Sequence, residues 1–116
     1  MIRAKFLYDK NRLAVGFIVK CHGHPIVCSA VSMLVLNTVN SIEELTLLTN
    51  KDFYAKWDTK GGYMAFWLKN TQLRNSGAGL LLDALVLGLS HISKQYPKEI
   101  KLSSKLVTYK ESSEKS

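Results

Sequence analysis

Four side chains that can bind a metal, move a proton or carry an acyl group fall within eight residues: Cys21-His22-Gly23-His24-Pro25-Ile26-Val27-Cys28, followed by Ser29-Ala30-Val31-Ser32. Three chemistries compete for them. Cys21, His22, His24 and Cys28 could in principle supply four zinc ligands, but neighbours in an extended chain point to opposite sides and the usual C-x₂-C knuckle is absent. Cysteine is also among the most buried residue types, and a buried thiol is inert, so both cysteines could simply be packing. The third chemistry is nucleophilic catalysis. Cys28 stands where a turn passes into a helix, where unpaired N–H groups and the positive end of the helix dipole favour a thiolate. The same N–H groups can hold the oxyanion of an acyl-transfer intermediate. His22 and His24 are each close enough in sequence to serve as base, and the spacing permits a Cys–His pair without requiring one.

The elements that must position these groups can be read from periodicity. Residues 2–9 alternate, with Ile2, Ala4, Phe6 and Tyr8 set against Arg3, Lys5, Leu7 and Asp9, as in a half-buried strand. Asp9-Lys10-Asn11-Arg12 reads as a turn, and 13–20 as a second strand paired with the first. Gly23 and Pro25 mark a turn. From Cys28 the pattern changes: Val31, Leu34, Val35, Thr38, Ile42 and Leu45 recur at helical steps over about five turns, and Asn50 and Asp52 mark the exit. Segments 53–59 and 62–69 read as strands joined around Lys60-Gly61-Gly62. Asn75-Ser76 can cap a second helix over about 77–95, apolar nearly all round, with Pro97 just beyond it. Such a helix is enclosed by its own domain or covered by a partner subunit. Residues 100–109 read as a final strand. The order strand–strand–helix–strand–strand–helix–strand predicts an α+β domain, a mixed or antiparallel sheet packed with two helices, over 1–109, with a polar tail at 110–116.

At 116 residues, 47% hydrophobic and 22% charged, the chain has the length and composition of one folded domain and lies outside the disordered class. The longest apolar run, 77–89, is interrupted by Asp83 and suits a buried helix better than a membrane span. The charged, alternating start is unlike a signal peptide. These features predict a cytoplasmic protein without a membrane partner, its two cysteines free thiols. The net charge of +7 is distributed, positive over 1–20, 51–75 and 94–116 and negative over 21–50 and 76–93. It could reflect solvated strand faces and a lysine-rich tail, or contact with RNA or an RNA-rich particle.

Cys21-His22, then Ile26-Val27-Cys28-Ser29-Ala30-Val31-Ser32, then Asn37-Thr38-Val39-Asn40-Ser41-Ile42-Glu43-Glu44-Leu45, then Gly61-Gly62-Tyr63-Met64 together resemble the ribosomal-processing cysteine protease (Prp) family of bacteria. The resemblance spreads over about 1–109, with the same order of elements. It implies a cysteine endopeptidase that removes the N-terminal extension of a large-subunit ribosomal protein, the twenty-seventh of its series, during ribosome assembly. It also implies a homodimer and a reaction that needs no cofactor. By position, Cys28 is the nucleophile, His22 the general base and Ser32 a supporting residue one helical turn beyond Cys28. Substrates with large apolar residues before the cut would need an apolar groove, for which Phe17, Tyr63, Phe66 and Trp67 are candidate aromatics, although core or sheet packing suits each of them better.

Three features depart from the family pattern. Cys21 replaces a glycine before the histidine, the loop between His22 and Cys28 is about half as long, and Pro25 stands where the family has aspartate. Proline nonetheless suits a helix entry. Cys21 could pair with Cys28 on oxidation. His24 reads as an exposed loop residue or an alternative base, and His91 as structural. The departures and the positive charge motivate an alternative, a non-catalytic ribosome- or RNA-associated module of the same fold.

Overall fold

The computed structural model of the protein describes residues 1–58, 60 and 62–109. Strands β1 (Ile2–Tyr8), β2 (Ala14–Lys20), β3 (Phe53–Asp58), β4 (Tyr63–Leu68) and β5 (Ile100–Leu106) form one sheet in the order β3-β4-β2-β1-β5. All neighbours are antiparallel except β1 and β5, which run parallel with Ile2 opposite Ile100 and Tyr8 opposite Leu106. The architecture is the mixed α+β arrangement predicted from the pattern. The tail expected at 110–116 lies outside the described residues, as do Thr59 and Gly61 of the expected 53–59 strand and β3–β4 turn.

Alternation builds the core. Ile2, Ala4 and Phe6 of β1 point to the same side as Phe17 and Val19 of β2, Met64, Phe66 and Leu68 of β4, Phe53 of β3 and Ile100 of β5. Helix α1 (Pro25–Leu45) lays Val27, Val31, Val35, Val39 and Ile42 into that layer, and helix α2 (Ala78–Gln95) adds Leu82, Leu85 and Leu89. By length and composition α1 is apolar enough to cross a membrane, contrary to the sequence expectation. Its apolar stripe is nevertheless part of the core, which is the alternative use of such a helix. Thr38, buried in that stripe, satisfies its hydroxyl by donating to the Leu34 carbonyl at 2.8 Å.

Several element details differ from expectation. Leu45, expected on the buried stripe, ends the helix and is exposed. The second helix is not enclosed all round, because Leu80 and Leu87 face out. Its cap is Gly77, at φ 105°, rather than Asn75-Ser76. A 3₁₀ helix at Thr71–Ser76, not foreseen, precedes it, capped by the Asn70 side chain, which accepts from the Leu73 N–H at 3.2 Å. The last strand stops at Leu106, although the Val107 N–H still donates to the Tyr8 carbonyl at 2.8 Å.

The end of the sheet that carries Tyr8, Ala14 and Leu68 is held by polar contacts. Asp9, nearly fully buried, accepts the N–H of Asn11 at 2.8 Å and of Leu13 at 3.1 Å through Oδ1, and the Thr71 hydroxyl through Oδ2. Arg74 donates to the Ala14 carbonyl and pairs with Asp83 at 2.8 Å. The Tyr109 hydroxyl donates to the Leu68 carbonyl at 2.6 Å. Burial pushes the Asp9 carboxyl up, but the Thr71 hydroxyl, the two backbone N–H groups and the Arg74 charge outweigh it and hold the carboxyl below its ordinary value. Burial, and secondarily the charge of Asp9, pushes the Tyr109 phenol up to about 12.

Candidate active site

The other end of the sheet carries the candidate site residues. β2 leaves the sheet at Lys20, and only Cys21-His22-Gly23-His24 links it to α1. Pro25 opens the helix, where its fixed φ is favourable and its missing N–H costs nothing. The helix therefore begins earlier than the periodicity suggested, and Cys28 sits inside its first turn. The Cys28 N–H makes the first helical bond, to the His24 carbonyl at 2.9 Å. The N–H groups of Ile26 and Val27 precede that bond and have no carbonyl four residues back within the helix, and no side chain caps this end. They are donors without a helical partner in the same turn as Cys28, of the kind that can hold an oxyanion.

Cys21, which stands where the family pattern has glycine, packs against the start of α1. Its N–H donates to the Gly62 carbonyl at 2.7 Å. Its thiol points at the start of α1, 3.6 Å from the Cys28 carbonyl, and receives the Ser32 hydroxyl at 3.9 Å. Burial first, and then the adjacent Cys28 side chain, pushes the Cys21 thiol up to about 11, against the opposing Ser32 hydroxyl. Both cysteines are free. Gly62 lies so close that a Cβ on it would stand 2.5 Å from the Cys21 carbonyl oxygen, and its φ is 65°. Only glycine lets the β3–β4 hairpin press against the linker there.

The structure brings Cys21, Cys28 and Ser32 together and leaves the histidines outside that cluster. Among the described residues, neither the His22 nor the His24 side chain has a hydrogen-bond partner, and both residues are exposed. His91 is exposed near the end of α2. Among the described residues no three His, Cys, Asp or Glu side chains converge as a metal site. Next to Ser32, a cavity of about 140 Å³ is lined by Leu36, Trp57, Asp58, Gly62 and Met64. Of the aromatics considered from sequence, Phe17 and Phe66 are core, while Tyr63 and Trp67 belong to the opposite side of the sheet. Trp57, which does reach the cavity, carried no signal in sequence because its strand has a mostly exposed, unpatterned run.

The family profile "Cysteine protease Prp" matches residues 1–101. The chain belongs to the Prp family of cysteine proteases. The structure of the essential ribosomal processing protease Prp from S. aureus, in complex with a covalently linked product peptide, is similar to it at 26% identity and a TM-score of 0.78, covering 90% of this chain and all of the other. SMU.848 from Streptococcus mutans is similar at 28% identity and a TM-score of 0.78, covering 92% of this chain and 96% of the other. The S. aureus protease with a substrate peptide shares the fold at 23% identity and a TM-score of 0.79, covering 90% of this chain and all of the other. No curated protein matches the chain. As a Prp-family enzyme the protein hydrolyses peptide bonds through a cysteine.

Proposed function

We propose that this Prp enzyme is an endopeptidase that removes the N-terminal extension of the twenty-seventh large-subunit ribosomal protein, with Cys28 as nucleophile and His22 as general base. The observation that carries the assignment is the position of Cys28. It lies in the first turn of α1, beside the N–H groups of Ile26 and Val27 and one turn from Ser32. Cys21 could be offered as nucleophile instead, but a thiol pushed up to about 11 is a poor one at neutral pH. The similar S. aureus enzyme, bound to a covalently linked product peptide, supports the substrate class.

His22 takes the Cys28 proton and the sulfur attacks the scissile carbonyl. The Ile26 and Val27 N–H groups receive the oxyanion. His22 returns the proton to the leaving amine, and water, deprotonated by the same imidazole, releases the acyl group. The His22 side chain has no hydrogen-bond partner among the described residues, and such pairs commonly tighten only around substrate. His22 lies on the four-residue linker between β2 and α1, where its side chain is exposed and free to approach Cys28 when substrate binds. Ser32 acts through Cys21, holding that thiol against the start of α1. The cavity beside Ser32, with Leu36, Trp57 and Met64, takes an apolar side chain of the substrate.

Further parts of the reading follow from the same family. The catalytic domain is 1–109 with a tail at 110–116, and the enzyme works in the bacterial cytoplasm in association with ribosomes. It forms a homodimer, supported by Leu80 and Leu87, both exposed on α2. The test is cleavage of a peptide spanning the extension junction by wild type, Cys28→Ala and His22→Ala. Cleavage by wild type alone establishes the pair. A folded wild type that leaves the peptide intact sinks the substrate assignment.

A further inference from the structure

Both helices pack on one side of the sheet, and among the described residues only 107–109 cross the other side. Register assigns to that other side Lys101 and Lys105 of β5, Arg3 and Lys5 of β1, Lys20 of β2 and Lys56 of β3, all exposed. Asp58 is the one carboxylate that the described strands contribute to it. The cations spread along the sequence therefore converge in the fold. Arg3, Lys5, Lys20 and Lys101, with Tyr63 and Ser103, surround a shallow cleft of about 370 Å³ floored by Ile18. The β3–β4 half of the same face is aromatic. Tyr54 and Trp67 stack with centroids 4.2 Å apart, and the Lys56 ammonium lies 6.0 Å from the Tyr63 ring. At the far end residues 107–109 cross the face, and a second hollow of about 300 Å³ opens between them, Lys105 and Trp67.

We infer that this sheet face binds single-stranded RNA, with phosphates along the β5–β1–β2 cations and bases stacked on Tyr54, Trp67 and Tyr63. The split matches the ligand, since a single strand presents a charged backbone on one side and flat apolar bases on the other. Strands lie about 4.8 Å apart, so five of them offer a width of about 20 Å, room for two or three nucleotides as on other RNA-binding sheets. Duplex RNA would use the phosphate contacts but leave the aromatic half idle. An acidic peptide would satisfy the lysines and likewise gain little from a stacked Tyr–Trp pair. Lys20 immediately precedes Cys21, so bound RNA would lie beside the catalytic linker without occupying it.

The inference does not rest on the protease assignment, and the Cys28→Ala chain should bind as wild type does. The probe is a fluorescent ten-nucleotide oligouridylate, followed by anisotropy between 50 and 200 mM salt, with a duplex of equal length and polyglutamate as competitors. Binding should weaken with salt. The double variant Lys5→Gln/Lys101→Gln should flatten the log–log salt slope by about 1.4, at about 0.7 for each phosphate that is no longer neutralised. Tyr54→Ala, at an exposed edge-strand position, should weaken binding about tenfold and leave the slope unchanged. Circular dichroism and peptide cleavage should be unaltered in both variants. Absence of binding at 50 mM salt overturns the inference. So does competition by polyglutamate or duplex as strong as by the single strand, with Tyr54→Ala silent, which would leave only a general polyanion surface. Conversion of a dimer to a monomer by the double variant would assign the face to a second copy and also overturn it.

Discussion

The two ends of the sheet solve opposite problems. At the Asp9 end, charged and neutral hydrogen bonds of normal length or shorter tie the β1–β2 turn and the 3₁₀ helix to one buried carboxylate, and the chain after β5 to the end of β4. At the Cys21 end the Cys21 thiol makes sulfur contacts at 3.6 and 3.9 Å, and the side chains of two histidines project with no hydrogen-bond partner among the described residues. A fully satisfied polar network in a low-dielectric setting fixes geometry. Long, polarizable sulfur contacts tolerate small displacements. The fold is anchored at one end so that the linker at the other can adjust to a substrate.

Breaking the reactive end should abolish activity while sparing stability. Cys28→Ala and His22→Ala should each lower kcat/KM by about 10³-fold or more, with melting temperatures near wild type. A large loss of stability in either would mean that this end also anchors the fold. Breaking the anchored end should do the reverse. Asp9→Ala strands two N–H groups and a hydroxyl and should cost about 3 kcal/mol in chemical denaturation, with activity retained in the folded fraction.

The same comparison has a pH signature. Asp9 is depressed, so its contribution is complete above the ordinary carboxylate range and is lost as pH falls through its lower folded value. Asp9→Asn should therefore flatten the acid limb of the stability profile; an unchanged acid limb would show that other carboxylates set it. Tyr109 and Cys21 are raised, to about 12 and about 11. Their contributions hold at neutral pH and fade as pH rises from each group's ordinary value towards those figures.

Gly62 lies where the β3–β4 hairpin supports the soft end. Gly62→Ala should cost about 2 kcal/mol, because the methyl would meet the Cys21 carbonyl at a positive φ. It should also slow cleavage, and a variant as stable and active as wild type would show the close approach to be dispensable. The smallest effect distinguishes the two thiols. Iodoacetamide at pH 8 should modify Cys28 well before Cys21, read by mass spectrometry of digested protein, whereas faster labelling of Cys21 would exchange their roles. Mild peroxide should join the two as a disulfide, removing activity until a reductant restores it. Activity indifferent to both reagents would exclude that bond.

The strands and helices were legible in the sequence because each has its own period, and CHGHPIVC with IVCSAVS made the reactive segment legible. What stayed hidden was long-range. Nothing in the local pattern placed Thr71 and Arg74 beside Asp9 and Ala14, because those partners are about sixty positions apart and Thr71 and Arg74 lie in a 3₁₀ turn without periodicity. Cys21 looked like a damaged glycine, and only the closeness of Gly62 and Ser32 gave its thiol an environment. The net charge was visible, but its concentration on one face depended on strand order, which brings Lys101 beside Arg3.

That strand order has a kinetic consequence. β1 is interior to the sheet, but the neighbour on its outer side is β5, the last of the described strands, with Ile2 set against Ile100. Closing so long a loop comes late in folding. During synthesis, β1 must wait with one bare, hydrogen-bonding edge until β5, about a hundred residues later, has emerged. That interval is when a second nascent copy could donate its own final strand, so the speed of β5 docking sets how much of the protein escapes exchanged or aggregated forms.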